Sequence, residues 1–121
     1  MPKQILLIED NPILTELYKT ALEAEKVQVT IAHDGEKGIE IAKKIKPSVI
    51  LLDLLMVGID GFEVLKKLKE DKNTKNIKVI ILSVINDSAS KMKAKTLGAS
   101  DYFIKSEMQV SEIAKKLLNY F

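Results

Sequence analysis

The chain has 121 residues, 46% hydrophobic and 30% charged, with a formal net charge of +2; that length suits one domain with a real core and leaves no room for two. All 19 cationic side chains are lysine and none of them form one massed block, which argues against a nucleic-acid-binding surface and removes arginine's planar, bidentate grip on phosphate. Cysteine is absent, so disulfides, thiolate metal sites and cysteine nucleophiles are excluded.

The chain opens Met1-Pro2-Lys3-Gln4 and enters the apolar run 5–8 (Ile-Leu-Leu-Ile). That run is too short for a signal peptide or a membrane span, so a cytoplasmic protein with no membrane contact is expected. Asn11-Pro12 opens a helix, with Asn as cap and Pro in the first turn; Ile13, Leu14, Leu17, Tyr18, Ala21 and Leu22 recur on one face. Residues 27–31 alternate apolar and polar, as in a strand near a sheet edge. A second helix carries Ile39, Ile41, Ala42 and Ile45 and stops before Pro47. Residues 49–52 form a continuous apolar run, followed after Gly61 by a helix with Phe62, Leu65 and Leu68. Residues 79–82 form another such run. A weaker helix then starts near Asp87 or Ser88, has Met92 and Leu97 as its main apolar residues, and ends at Gly98. The short run 102–104 precedes a last helix with Val110, Ile113, Ala114, Leu117, Leu118 and Phe121.

Strand and helix thus alternate five times. Continuous Ile/Val/Leu runs suit strands buried on both faces, so the expected fold is α/β, a doubly wound five-stranded parallel sheet, in a single domain over residues 1–121.

In such a sheet the ligand site lies beyond the carboxyl ends of the strands. Glu9 and Asp10 follow the first strand, Asp53 ends the third, Ser83 the fourth and Lys105 the fifth. If the first and third strands are neighbours, Glu9, Asp10 and Asp53 converge, and three close carboxylates repel unless neutralised. A hard divalent cation such as Mg²⁺, with oxygen ligands, and the Lys105 ammonium supply the balance. A carboxylate so placed is a nucleophile toward phosphorus, forming an aspartyl phosphate, with the Ser83 hydroxyl donating to a phosphoryl oxygen. Taken singly, Asp10 reads equally as a cap, whereas Ser83 alone is more often a satisfied strand-end hydroxyl and Lys105 alone more often a solvated surface lysine; His33 reads as a loop residue without a role.

With those residues placed, the whole chain resembles the receiver domain of bacterial two-component response regulators. The resemblance rests on Glu9-Asp10-Asn11 after the first strand, Asp53 through Met56, Gly58-Ile59-Asp60-Gly61, Ser83, and Gly98 through Lys105. It implies a flavodoxin-like sheet of order 2-1-3-4-5 and a phosphorelay function. Asp53 would be the phosphoryl acceptor, Glu9 and Asp10 would hold Mg²⁺ with Asp53 and the backbone carbonyl of Leu55, and Ser83 and Lys105 would contact the phosphoryl group. Tyr102 matches an aromatic switch position, although a plain core aromatic is an equal reading. The phosphodonor would be a histidine kinase or phosphotransfer protein. A downstream protein would meet the fourth helix, fifth strand and fifth helix of a monomer or weak homodimer, and no enzymatic turnover is expected beyond self-phosphorylation and self-dephosphorylation.

The chain departs from the pattern at three places. Val57 and Ser106 stand where many receivers have proline, the second of which usually follows a cis bond; a cis Lys105–Ser106 bond is expected here, so that the ammonium still reaches the site, despite a cost of roughly 2.5–4 kcal/mol. Val84 replaces a smaller residue. Leu55 and Ile85, two residues beyond Asp53 and Ser83, should hinder an attacking water and slow dephosphorylation. A degenerate receiver, serving only as an interaction module, is the alternative. A haloacid-dehalogenase-like phosphatase would need a second Asp at position 55. Flavin or dinucleotide binding would need a phosphate cradle where Glu9-Asp10-Asn11-Pro12 stands.

Overall fold

The computed structural model describes residues 2–121. Five strands alternate with five helices: β1 (Lys3–Ile8), α1 (Pro12–Ala24), β2 (Val27–Ala32), α2 (Gly35–Ile45), β3 (Val49–Asp53), α3 (Gly61–Glu70), β4 (Lys78–Ser83), α4 (Ser88–Thr96), β5 (Asp101–Ile104) and α5 (Val110–Leu117). The strands form one parallel sheet in the order β2-β1-β3-β4-β5, as the resemblance implies.

The continuous apolar runs are explained by the two-residue period of a strand with both faces covered. Leu6, Ile8, Ile50, Leu52, Val79 and Ile81 point to the face covered by α2, α3 and α4. Ile5, Leu7, Val49, Leu51, Ile80 and Leu82 point to the face covered by α1 and α5. All twelve are essentially solvent-free, and each contributes about 1.5–3 kcal/mol of burial. β2 lies at an edge and alternates buried and exposed residues, matching its sequence.

Side-chain caps fix where the helices begin. Asn11 Oδ1 accepts from the N–H groups of Ile13 (2.9 Å) and Leu14 (3.2 Å). Asp34, Asp60 and Asp87 accept from Lys37, Phe62 and Ser90 at 2.8, 2.8 and 2.7 Å. α2 ends in a left-handed Lys46 before Pro47.

Three expectations are corrected. Ile13 and Leu17 are exposed, because α1 buries the stripe Thr15, Tyr18 and Leu22 instead. On α4 the buried residue is Ala94 and Leu97 at the helix end packs against the core as expected, but Met92 points into solvent; the Lys93 ammonium lies 4.4 Å from the centre of the Phe62 ring. The Lys105–Ser106 bond is trans; no cis bond occurs among the described residues. A 3-10 turn over Lys105–Glu107 redirects the chain after β5, and the flexible lysine stem covers the remaining distance, so no strained peptide is required.

Candidate functional site

Strand register assembles the site. Ile8 pairs with Leu52, so Glu9 and Asp53 are level at the carboxyl ends of β1 and β3. Asp53 pairs with Leu82, which sets Ser83 one residue further along β4. Ser83 pairs with Ile104, so Lys105 is the next residue beyond the edge strand. Glu9 is fixed by its own N–H donating to Ala32 of β2 at 3.0 Å.

One carboxylate oxygen from each of Glu9, Asp10 and Asp53 lies within 4.8 Å of the others. Glu9 and Asp53 are buried and Asp10 is half-buried. Lys105 Nζ donates to Glu9 Oε1 at 2.8 Å and to Asp53 Oδ2 at 3.2 Å. Backbone donors take other oxygens: Leu55 N–H to Asp53 Oδ1 (3.1 Å), Asn11 N–H to Glu9 Oε2 (3.2 Å) and Val57 N–H to Asp10 Oδ2 (3.0 Å). One ammonium therefore serves two of the three clustered carboxylates, and Asp10 has none.

The protonation chemistry reflects that imbalance. Burial pushes the Glu9 carboxyl up to about 7, with the Asp53 charge adding to it and the Lys105 hydrogen bond opposing it. For Lys105, burial acts downward, but its bonds to Glu9 and Asp53 and their charges outweigh it and hold the ammonium above its ordinary value. Tyr18 stands against the cluster from α1, almost fully buried; burial raises its phenol, Lys105 pulls it down, and Glu9 and Asp53 raise it further.

Ser83 is fully buried, and its Oγ accepts from Ile85 N–H at 3.1 Å. The carbonyl of Ile85 in turn accepts from the Tyr102 hydroxyl at 2.8 Å. Tyr102 is thus tied to the β4–α4 loop, which the sequence does not reveal. The side chain of Leu55 is about half exposed at the mouth of the site, as is that of Val84. His33 is exposed. Sequence reasoning missed the contributions of Tyr18 and of the Val57 N–H. The second was readable: a residue other than proline at position 57 keeps a donor.

The arrangement offers hard oxygen donors in net excess over cationic charge, which suits Mg²⁺, and a buried carboxylate oxygen beside an ammonium, which suits attack on an electrophile carrying negative oxygens.

Residues 5–118 match the response regulator receiver domain family. Protein PilH of Pseudomonas aeruginosa is 38% identical over 104 residues, which cover 84% of this chain and 84% of PilH. Response regulator PleD of Caulobacter vibrioides is 34% identical over 105 residues; these cover 87% of this chain but only 23% of PleD, so the chain spans about a quarter of that relative. The chemotaxis protein CheY4 of Vibrio cholerae superposes over 100% of both chains with a TM-score of 0.92 at 21% identity, which shows the shared fold.

Proposed function

Because the chain belongs to the response regulator receiver domain family, we propose that its phosphorelay chemistry runs through Asp53 as phosphoryl acceptor, with Glu9, Asp10, Asp53 and the Leu55 backbone carbonyl as the Mg²⁺ site. The observation that carries this is a cluster of three carboxylates, of which the two buried ones share a single ammonium and the third has none. Such excess negative charge on buried and half-buried groups is costly without a cation, and an all-oxygen donor set is the kind Mg²⁺ takes. When bound, Mg²⁺ supplies charge neutralisation for the carboxylates and for the oxygens of the incoming phosphoryl group.

The chain's own residues do the rest. An Asp53 carboxylate oxygen attacks the phosphorus of a phosphohistidine; the new P–O bond forms as the P–N bond breaks, and the imidazole nitrogen leaves with the electron pair and takes a proton. Lys105, already shared between Glu9 and Asp53, releases one partner to pair with a phosphoryl oxygen. The Ser83 hydroxyl accepts from Ile85 N–H, and its own proton turns to donate to another phosphoryl oxygen. Drawing Ser83 toward the phosphate pulls on the bond to Ile85, and through the Ile85 carbonyl on Tyr102. The output is a population shift biased by one added dianionic group.

On this reading the 121 residues form one receiver unit. Its donor is a cytoplasmic histidine kinase or phosphotransfer protein, and its chemistry stops at self-phosphorylation and self-dephosphorylation. A downstream protein meets α4, β5 and α5; between α4 and β5 an open groove of about 320 Å³ is lined by Lys91, Ala94, Lys95, Ala99, Ser100, Asp101 and Tyr102. None of the residues of the site is replaced by one unable to act, so nothing favours a phosphorylation-independent module. No helix among the described residues is long and apolar enough to cross a membrane. Incubation with Mg²⁺ and acetyl phosphate, followed by intact-mass spectrometry, tests the assignment. One acid-stable, base-labile phosphoryl adduct is expected, lost in Asp53→Asn; an unchanged adduct in that variant would reject Asp53 as the acceptor.

A further inference from the structure

The side chain of Val57 is 86% exposed and takes part in neither core cluster. What the position contributes is its backbone. The Val57 N–H donates to Asp10 Oδ2 at 3.0 Å, across 47 residues of sequence, and so joins the loop after β1 to the loop after β3. Gly58 follows directly with φ +95, a conformation that suits glycine and turns the chain away immediately after the donor.

Asp10 needs such a partner more than its neighbours do. Lys105 pairs with Glu9 and with Asp53. Among the described residues Asp10 makes no salt bridge, and the Val57 N–H is its one hydrogen-bond donor. Its carboxylate nevertheless stays within 4.8 Å of the other two, against their repulsion. A carboxylate has two oxygens; with Oδ2 held by an N–H, the group is oriented and Oδ1 is left for another partner.

We propose that the Val57 N–H is a positioning group for Mg²⁺: it holds the Asp10 carboxylate in the pocket with one oxygen free, so that the metal meets a preorganised ligand. This rests on the reading of Glu9, Asp10 and Asp53 as the metal site. Hydrogen bonds that orient a ligating carboxylate commonly set metal affinity within a factor of about 10–100. Proline at position 57 has no N–H and cannot make this bond, so the departure at this position carries a function in this chain.

The test compares Val57→Pro, which removes the donor, with Val57→Ala, which keeps it and trims only an exposed side chain. Mg²⁺ is titrated into each metal-free protein by calorimetry, and the Mg²⁺ dependence of phosphorylation by acetyl phosphate is measured in parallel. Val57→Ala is expected to match the wild type. Val57→Pro is expected to bind Mg²⁺ about tenfold more weakly, and its half-saturating Mg²⁺ for phosphorylation should rise by the same factor. Equal affinity in Val57→Pro and wild type overturns the proposal and leaves the metal site standing; a wild type that takes up no Mg²⁺ brings down both. Should Val57→Pro fail to fold, amide exchange decides in its place. The Val57 N–H of the wild type should exchange more slowly than that of Asp10→Ala, and equal rates would overturn the proposal.

Discussion

Asp10→Asn should make the metal-free protein more stable and the metal-loaded protein less so. Asparagine keeps the shape of the side chain and an oxygen to accept from Val57 N–H, so the substitution removes charge and little else. Two unit charges at the 4.8 Å that bounds this cluster repel by about 3.5 kcal/mol at an effective dielectric constant near 20. Asp10 is half-buried, so solvent screens each pair, and Lys105 already offsets part of the field; a net relief of about 1–2 kcal/mol remains. For a domain of this length that raises Tm by about 4–8 °C. In the wild type, Mg²⁺ at 100 times its Kd should add about 2.7 kcal/mol, or about 10 °C. Asp10→Asn should forfeit most of that gain. The assay is thermal unfolding by circular dichroism at pH 8, where Glu9 is ionised, in EDTA and in Mg²⁺. A Tm in EDTA at or below that of the wild type would show that Asp10 is a structural turn residue rather than a strained ligand. A full Mg²⁺ response in the variant would remove Asp10 from the metal site.

Gly61→Ala should impair both fold and chemistry, because a Cβ there would lie 2.5 Å from Leu54 Cα and 2.8 Å from the Asp53 carbonyl oxygen; a loss of about 1–3 kcal/mol in denaturant unfolding and slower phosphorylation are expected, and wild-type values for both would refute the clash. The Glu9 carboxyl, raised from 4.5 to about 7 chiefly by burial, holds its proton more tightly in the folded chain, so its contribution to stability is complete below about pH 4.5 and is lost as pH rises through about 7. Metal-free Tm should therefore fall from pH 5 to pH 8, and Mg²⁺ affinity should weaken as pH drops below 7, since the proton must leave before the metal enters; a flat affinity profile by calorimetry would contradict this. With apolar Leu55 at the mouth and Ile85 two residues past Ser83, the aspartyl phosphate should persist for minutes or longer after donor removal. Its disappearance within seconds, followed by mass spectrometry, would show that these side chains do not obstruct water.

The sheet was legible because each strand buried on both faces must be apolar at every position, which leaves uninterrupted Ile/Val/Leu runs at residues 5–8, 49–52 and 79–82 that no amphipathic helix would show. The strand ends were legible for the same reason: Asp53 and Ser83 interrupt runs that otherwise belong to the core. Helix faces were less so. Ile13 and Leu17 fit a helical stripe as well as Tyr18 and Leu22 do, and periodicity cannot say which of two overlapping stripes meets the sheet. α4 misled in part, because the small Ala94 is its buried residue and Leu97 packs against the core, while the large Met92 faces water, so residue size alone is a poor guide to the buried face.

What the sequence could not carry is the part of the site made by backbone. The Leu55, Asn11 and Val57 N–H groups each donate to a carboxylate oxygen, and any residue but proline at those positions could supply the same donor. The expected cis bond after Lys105 failed on similar grounds. It assumed that reaching the carboxylates demanded a special backbone, whereas a trans 3-10 turn and a long side chain place Nζ at 2.8 and 3.2 Å from its partners. Side-chain identity thus names the charges of this pocket, but loop backbone decides how they are held. Substitutions that alter only N–H groups, such as Val57→Pro, should therefore shift metal affinity while leaving every charge in place.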